Sequence, residues 1–307
     1  MPVKSDLQGN VVPLSAHERW YVSGGPSPDG TQVAFSIVTG TNNDIWVLEL
    51  ERDVLTRLTT HLADDHDPVW SPDNRSVVFR SERSDNSPNL YLKRIDRPDE
   101  IVRLTSSPNR QTPCSFTPDG EILGFTEYAA DTGNDVWVLP LDAGSHPQPL
   151  IRTPFDEEDP AFSPDGKWLA YESAESGKGE IYVVAIERDG GTVRLAADGT
   201  RVQASTDGGR QPRWGPDGRR LFYRTPSALM RVALEAGPPL RPSAPEEIFG
   251  AGLLENEELY DFGAIWPDGE HVMLYRRSDE NAGESENPII VVNWFEELRR
   301  LAPRTTN

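Results

Sequence analysis

Short apolar runs recur along the chain, with polar residues between them, and most are built from β-branched and aromatic side chains. Gln32–Ser36, Ser76–Arg80, Glu121–Thr126, Trp168–Glu172, Arg220–Arg224 and Glu270–Tyr275 form one set. Each is preceded by a shorter run, clearest in Pro68-Val69-Trp70 and Pro160-Ala161-Phe162. A third set follows in Asp44–Val47, Asn89–Leu92, Asp135–Val138 and Glu180–Val183, and a fourth in Leu55–Leu58, Ile101–Leu104 and Gln148–Ile151. Runs of this composition, bounded by Gly, Asn, Asp and Pro, predict strands. The repeats carry no helix-length periodic pattern, so helical solenoids compete poorly.

The first and second runs are joined by a recurring turn. It reads Ser27-Pro28-Asp29-Gly30, Ser71-Pro72-Asp73-Asn74, Thr117-Pro118-Asp119-Gly120, Ser163-Pro164-Asp165-Gly166, Gly215-Pro216-Asp217-Gly218 and Trp266-Pro267-Asp268-Gly269. Proline presets φ for the first corner, Asp bonds nearby amides, and Gly accepts a positive φ. The aspartates are spaced 44, 46, 46, 52 and 51 residues apart. Four strands in a repeat of that length describe a propeller blade. The prediction is an all-β protein: a six-bladed β-propeller of four-stranded antiparallel blades.

One domain is expected over residues 1–307, with blades starting near 21, 65, 110, 157, 209 and 260. Glu280–Asn287 reads as a loop. Extra length at Asp189–Thr200, where Val193–Ala196 could be a strand, leaves the outer edge of blade four ambiguous. Blade six lacks a fourth strand. Its third is assigned to Pro288–Asn293, and Asn10–Leu14 is expected to pair with blade six and close the ring, leaving no free sheet edge. Phe295–Leu301 reads as a short terminal helix. The aromatic stripe Trp46, Tyr91, Trp137 and Tyr182 repeats at one blade position and is assigned to the core.

Composition narrows the partners. The net charge of −20 argues against nucleic acid or an anionic membrane surface. It permits cationic ligands, basic proteins and divalent metals. A single cysteine, Cys114, excludes an intrachain disulfide and reads as a small packing residue on an inner strand. No run is long enough for a membrane helix, and no signal peptide opens the chain. The chain therefore reads as cytoplasmic as written, or extracytoplasmic if cut from a longer membrane-anchored protein. A closed ring makes monomer the default.

Pro-x-Trp/Phe-Ser-Pro-Asp-Gly, followed by an apolar strand and then Asp-Ile-Trp-Val or Asn-Leu-Tyr-Leu, resembles TolB-like six-bladed propellers with PD40 repeats. Narrower likeness lies in Arg57-Leu58-Thr59, Asp135–Leu141, Thr153-Pro154-Phe155, Ser205–Gly209 and Val291–Leu298. These phrases are similar to the C-terminal sensor propeller of bacterial membrane Ser/Thr kinases. The likeness runs from about residue 7 to 303. It implies a binding or scaffolding role, usually outside the cytoplasm, and supplies no catalytic residues. The chain carries no kinase signature: it lacks the Gly-rich loop, His-Arg-Asp and Asp-Phe-Gly.

In a propeller the inner strands line a central channel. Residues at the start of each inner strand should converge at one mouth: Val22, His66, Gln111, Glu158, Arg210 and Asp261 at corresponding registers. Beside them stand Tyr21, Asp65, Asp67, Glu157, Asp159, Gln211 and Tyr260. His66, Glu158 and Asp261 come from alternate blades, so one imidazole and two carboxylates are predicted to face one another. That set suits one divalent cation, Zn²⁺, Mn²⁺ or Ca²⁺, with a position left for water. Tyr21, Gln111, Arg210, Tyr260, Asp67 and Asp159 are the candidate ligand-binding residues. The loop His61–Asp67 is metal-rich in composition but reads as an acidic turn, and Asp131–Asp135 reads as a hairpin turn rather than a calcium loop. His17, His146 and His271 have no evident partners. Motifs for serine hydrolases, phosphate loops and zinc proteases are absent from the sequence. Two functions follow: a ligand- or protein-binding module with its site at the channel mouth, or a metal-dependent hydrolase or lyase at the same place.

Overall fold

In the computed structural model, residues 2–17, 19–83, 87–97, 100–142, 144–189, 191–235, 240–249, 262–277 and 288–289 are described. They form six antiparallel sheets arranged as the blades of a propeller. Blade one is built from Trp20–Pro26, Gln32–Thr39, Asn42–Glu49 and Val54–Arg57, each strand pairing with the next. Blades two and three repeat this order, with inner strands Asp65–Trp70 and Gln111–Phe116. In blade four the long third strand, Glu180–Asp189, carries two outer strands, Thr192–Leu195 and Arg201–Gln203. The extra length thus adds a strand to the outer edge. Blade five does the same with Arg241–Pro242 and Glu246–Phe249 against Leu229–Glu235.

The turn between first and second strands works as its composition predicts. In blade one, Ser27 Oγ donates to Asp29 Oδ1 at 2.6 Å. Asp29 Oδ1 also accepts from the Thr31 amide at 3.0 Å, and Gly30 N donates to the Ser27 carbonyl at 2.8 Å. The Ser/Asp bond recurs at Ser71, Thr117 and Ser163. The fourth turn residue meets the previous blade. Gly269 holds φ +71°, and a Cβ there would lie 2.9 Å from the Pro216 ring. In blade two Asn74 takes that place at φ 61°, and its Oδ1 accepts from the Asp29 amide at 3.0 Å. Asn is among the few residues that tolerate this conformation, and here its side chain also bonds the neighbouring blade.

Between blades the core is aromatic and branched aliphatic. Phe35, Phe79, Phe125 and Phe222 are fully buried, with Ile37, Ile45, Leu48, Leu90 and Ile122. The stripe residues pack into these layers, with Tyr91 and Tyr182 buried and Trp46 and Trp137 partly so.

The ring closes at the N-terminal end of the chain, but with two strands rather than one. Pro2–Asp6 pairs with His271–Arg277 over Pro2↔Tyr275 to Asp6↔His271. Val11–Pro13 then pairs with Pro2–Asp6 and becomes the outermost strand. Val11–Pro13, within the segment expected at Asn10–Leu14, does join blade six, but through Pro2–Asp6 rather than directly. Pro288–Ile289 pairs only with Arg277 and Arg276, beyond the end of the N-terminal strand. Lys4 fixes the closure. Its ammonium lies 3.5 Å from the Asp268 carboxylate and 4.6 Å from the centroid of the Trp266 ring. Burial pushes the Lys4 ammonium below the usual lysine range, and Asp268 opposes this. The expected terminal helix, the loop Glu280–Asn287, and the candidates Tyr260 and Asp261 lie outside the described residues.

Candidate functional site at the channel mouth

The inner strands run from one mouth of the channel to the Ser-Pro-Asp-Gly turns at the other. Each is interrupted near its start. The pairing shifts between His66 and Val69, Glu158 and Ala161, and Arg210 and Arg213. At these bulges Asp67, Asp159 and Gln211 adopt left-handed φ values of 54°, 52° and 53°. Each is followed by a proline. A bulge re-aims one side chain out of the pleat, and non-glycine residues in this region carry backbone strain of the kind that gathers at functional sites. All three line a central cavity of about 440 Å³, together with Cys114, Arg213 and Trp70.

At the mouth the strand register sets residues of the first and second strands opposite one another: His66↔Arg80, Glu158↔Glu172 and Arg210↔Arg224. The last two pairs oppose like charges, which costs stability in an antiparallel ladder. Glu158, Asp159 and Glu172 form one acidic group, with ligand oxygens within 4.8 Å of one another. Burial, with Asp159 and Glu158 close by, pushes the Glu172 carboxyl up to about 8. Burial and the neighbouring Asp159 and Asp156 raise Glu158 as well, and Asn134 donates to it. Asp159 is raised by burial, against the pull of Arg213. Across the blade boundary Arg210 Nε stands 3.5 Å from Glu172.

The residues singled out from sequence divide. Asp67 reaches the channel and pairs with Arg80 at 2.8 Å. Asp159 also lines the channel, and Arg210 stands at the mouth with its side chain largely exposed. Tyr21 does not face the channel. It is fully buried, its ring is edge-on to Phe35 at 4.9 Å, and its hydroxyl donates to the His17 carbonyl at 3.1 Å. Gln111 is likewise 1% exposed, bonded to Thr105 and, at 2.5 Å, to Glu127. It belongs to a buried polar row with Asp65, held by Arg83 at 2.7 Å, and Glu157, held by Thr153 at 2.5 Å. Each of His66 and Glu158 faces an asparagine side chain, Asn43 and Asn134 respectively. His66 Nε2 faces the Asn43 side chain at 3.3 Å, and burial and Arg80 lower its basicity. Among the described residues the group able to hold a metal is Glu158, Asp159 and Glu172, without His66.

Glu172 and Arg213 escaped sequence reasoning. The signal for Glu172 was available: the mouth end of each second strand must face the start of the first. Arg213 follows a bulge that strict alternation does not anticipate. Other clusters settle into structural roles. Asp135 accepts from Thr132 at 2.7 Å beside the turn between Ile122–Ala129 and Gly133–Pro140. His271 has a partner after all, Asp268 at 2.6 Å, and His17 Nε2 lies 3.1 Å from the Asp53 carbonyl. Burial pushes the Cys114 thiol well up, so a thiolate nucleophile is disfavoured. Leu62, Phe155 and Tyr128 stand exposed on the loops and strand end at this mouth. Among the described residues no helix is long and apolar enough to cross a membrane.

Comparison with known proteins agrees with this architecture. Residues 14–126 match the family model PD40, the TolB beta propeller domain. The fold is similar to that of a protein assigned as TolB from Agrobacterium tumefaciens, with TM-score 0.63 and 18% identity over 88% of this chain and 95% of that one. TolB from Acinetobacter baumannii gives 0.56 and 16%, over 80% of this chain and 62% of that one. An oligogalacturonate lyase solved in complex with manganese gives 0.57 and 12%, over 95% and 97%. From its turn repeat and its closed ring the chain is a six-bladed β-propeller, similar to the TolB beta propeller domain over residues 14–126.

Proposed function

We propose that the ring is a ligand-binding module, a sensor or scaffold acting as a monomer, and that its mouth receives the positively charged group of the ligand. The observation that carries this is the opposed pair Glu158 and Glu172, joined by Asp159. Three carboxyls this close, partly removed from water, repel one another, and the raised pKa of Glu172 expresses its burial together with that repulsion. An arriving cation relieves it. The exposed Leu62, Phe155 and Tyr128 offer apolar contacts around the mouth, which suits a protein or a small molecule with an apolar part.

Calorimetry tests this at pH 7.5 with a primary-amine probe and with Mn²⁺, in two buffers of different ionisation enthalpy. Binding should release a proton, because Glu172 titrates near that pH, and Glu172→Gln should remove the buffer dependence. Failure of every cationic probe to bind would sink the proposal.

A second reading, a metal-assisted hydrolase or lyase, draws on the same acidic group and on the fold likeness to a lyase solved with manganese. Carboxylate ligands suit Mn²⁺ or Ca²⁺ better than Zn²⁺, since among the described residues no imidazole joins the group. Elemental analysis of protein purified without added metal decides it. One equivalent of metal, lost in Glu158→Gln, supports this reading, and metal-free protein removes it.

A further inference from the structure

Toward the turn side the channel opens into a second space of about 370 Å³ between the inner strands of blades three, four and five. Phe116, Phe162, Trp214, Pro118 and Pro164 make this lobe apolar. It joins the main channel at Ser115, Arg213, Ala264 and Ile265, which line both spaces. Arg213 therefore stands at the junction. Its Nη1 donates to the Pro212 carbonyl at 3.0 Å, and among the described residues no carboxylate forms an ion pair with it. Asp159 faces the same channel. Its amide donates to Thr126 Oγ1 at 3.3 Å, while its carboxylate has no hydrogen-bond or ion-pair partner among the described residues. The two charges are near enough to affect each other's ionisation, yet they do not meet.

One cation and one anion without an ion-pair partner among the described residues, beside an apolar lobe, define the chemistry of an occupant. A simple amine would leave Arg213 without a counter-charge, and a simple carboxylate would face Asp159. Each mismatch is expensive away from bulk water. An α-amino acid carries both charges on one carbon and its side chain on the same atom. We infer that the channel binds a free apolar α-amino acid, with its carboxylate on Arg213, its ammonium on Asp159 and its side chain among Phe116, Phe162 and Trp214. Charge-assisted hydrogen bonds at both ends would fix its orientation. The two spaces fall in the size range of small-molecule sites. This inference rests on the channel being a binding site and adds the class of ligand.

Titration of the whole chain with leucine and phenylalanine tests it, against N-acetylphenylalanine, phenylalaninamide and phenethylamine. Phenylalanine or leucine should bind. Masking the ammonium, or masking or removing the carboxylate, should each weaken binding about tenfold or more. Arg213→Gln should erase the preference for phenylalanine over phenethylamine while keeping that over the N-acetyl compound, and Asp159→Asn should do the reverse. Equal binding of phenethylamine and phenylalanine by the unaltered protein overturns the role of Arg213. Cation binding at the mouth with no amino acid bound overturns this inference and leaves the proposed function standing. Silence toward all probes removes both.

Discussion

Glu172 is the residue where the electrostatics of the site are most exposed to measurement. Its carboxyl has an ordinary value of 4.5 and is pushed to about 8 by burial and by Asp159 and Glu158. The folded state thus holds a proton that the unfolded chain has lost between those two values. Stability should fall as pH rises through that window, the opposite of a salt-bridged carboxylate. Glu172→Gln should flatten the fall, so that the variant matches the parent near pH 4.5 and melts higher at pH 8.5, as thermal melts across that range would show. How far the site could be read from residue order follows from the same geometry. Register alone brings Asp67 and Asp159 to the right end of the right strands. It misplaces Tyr21 and Gln111, because whether a side chain enters the channel or the blade depends on a bulge. In blades two, four and five the bulge is written as Asp-Pro or Gln-Pro, pairs that also occur in ordinary turns, and in blade one, between Tyr21 and Ser23, it carries no proline at all.

Among the elements, the inner hairpin was the most legible, because its instructions are local. Proline, aspartate and glycine each make their bond or set their angle within a few residues. The contact between blades is not local, and it makes the turn glycine more than a conformational convenience. Gly269→Ala would combine a disfavoured φ with a methyl 2.9 Å from Pro216, so a loss of about 1–2 kcal/mol or more is expected in denaturant unfolding. Asn74→Gly should stay within about 1 kcal/mol of the parent, since the relaxed backbone offsets the lost bond from Asp29. The strand Pro2–Asp6 was not legible. It begins with proline, carries Lys4 and Ser5 in buried positions, and draws its stability from Met273 and Val272, far away in the sequence.

At the scale of the molecule, the N-terminal hairpin supplies both outer strands of blade six. Deleting residues 1–14 should bare the edge of His271–Arg277 and cost the Lys4 contacts with Asp268 and Trp266. An open strand edge recruits other chains, so size-exclusion chromatography of the shortened protein should show higher oligomers and melting should occur at lower temperature. The same arrangement dictates a timetable on the ribosome. The hairpin Pro2–Pro13 is translated before the blades that follow it and must wait without its blade-six partner until His271–Arg277 has been made. Five blades can assemble one after another as they appear, but the seam joins two segments far apart in the sequence, and so distant a contact is slow to form.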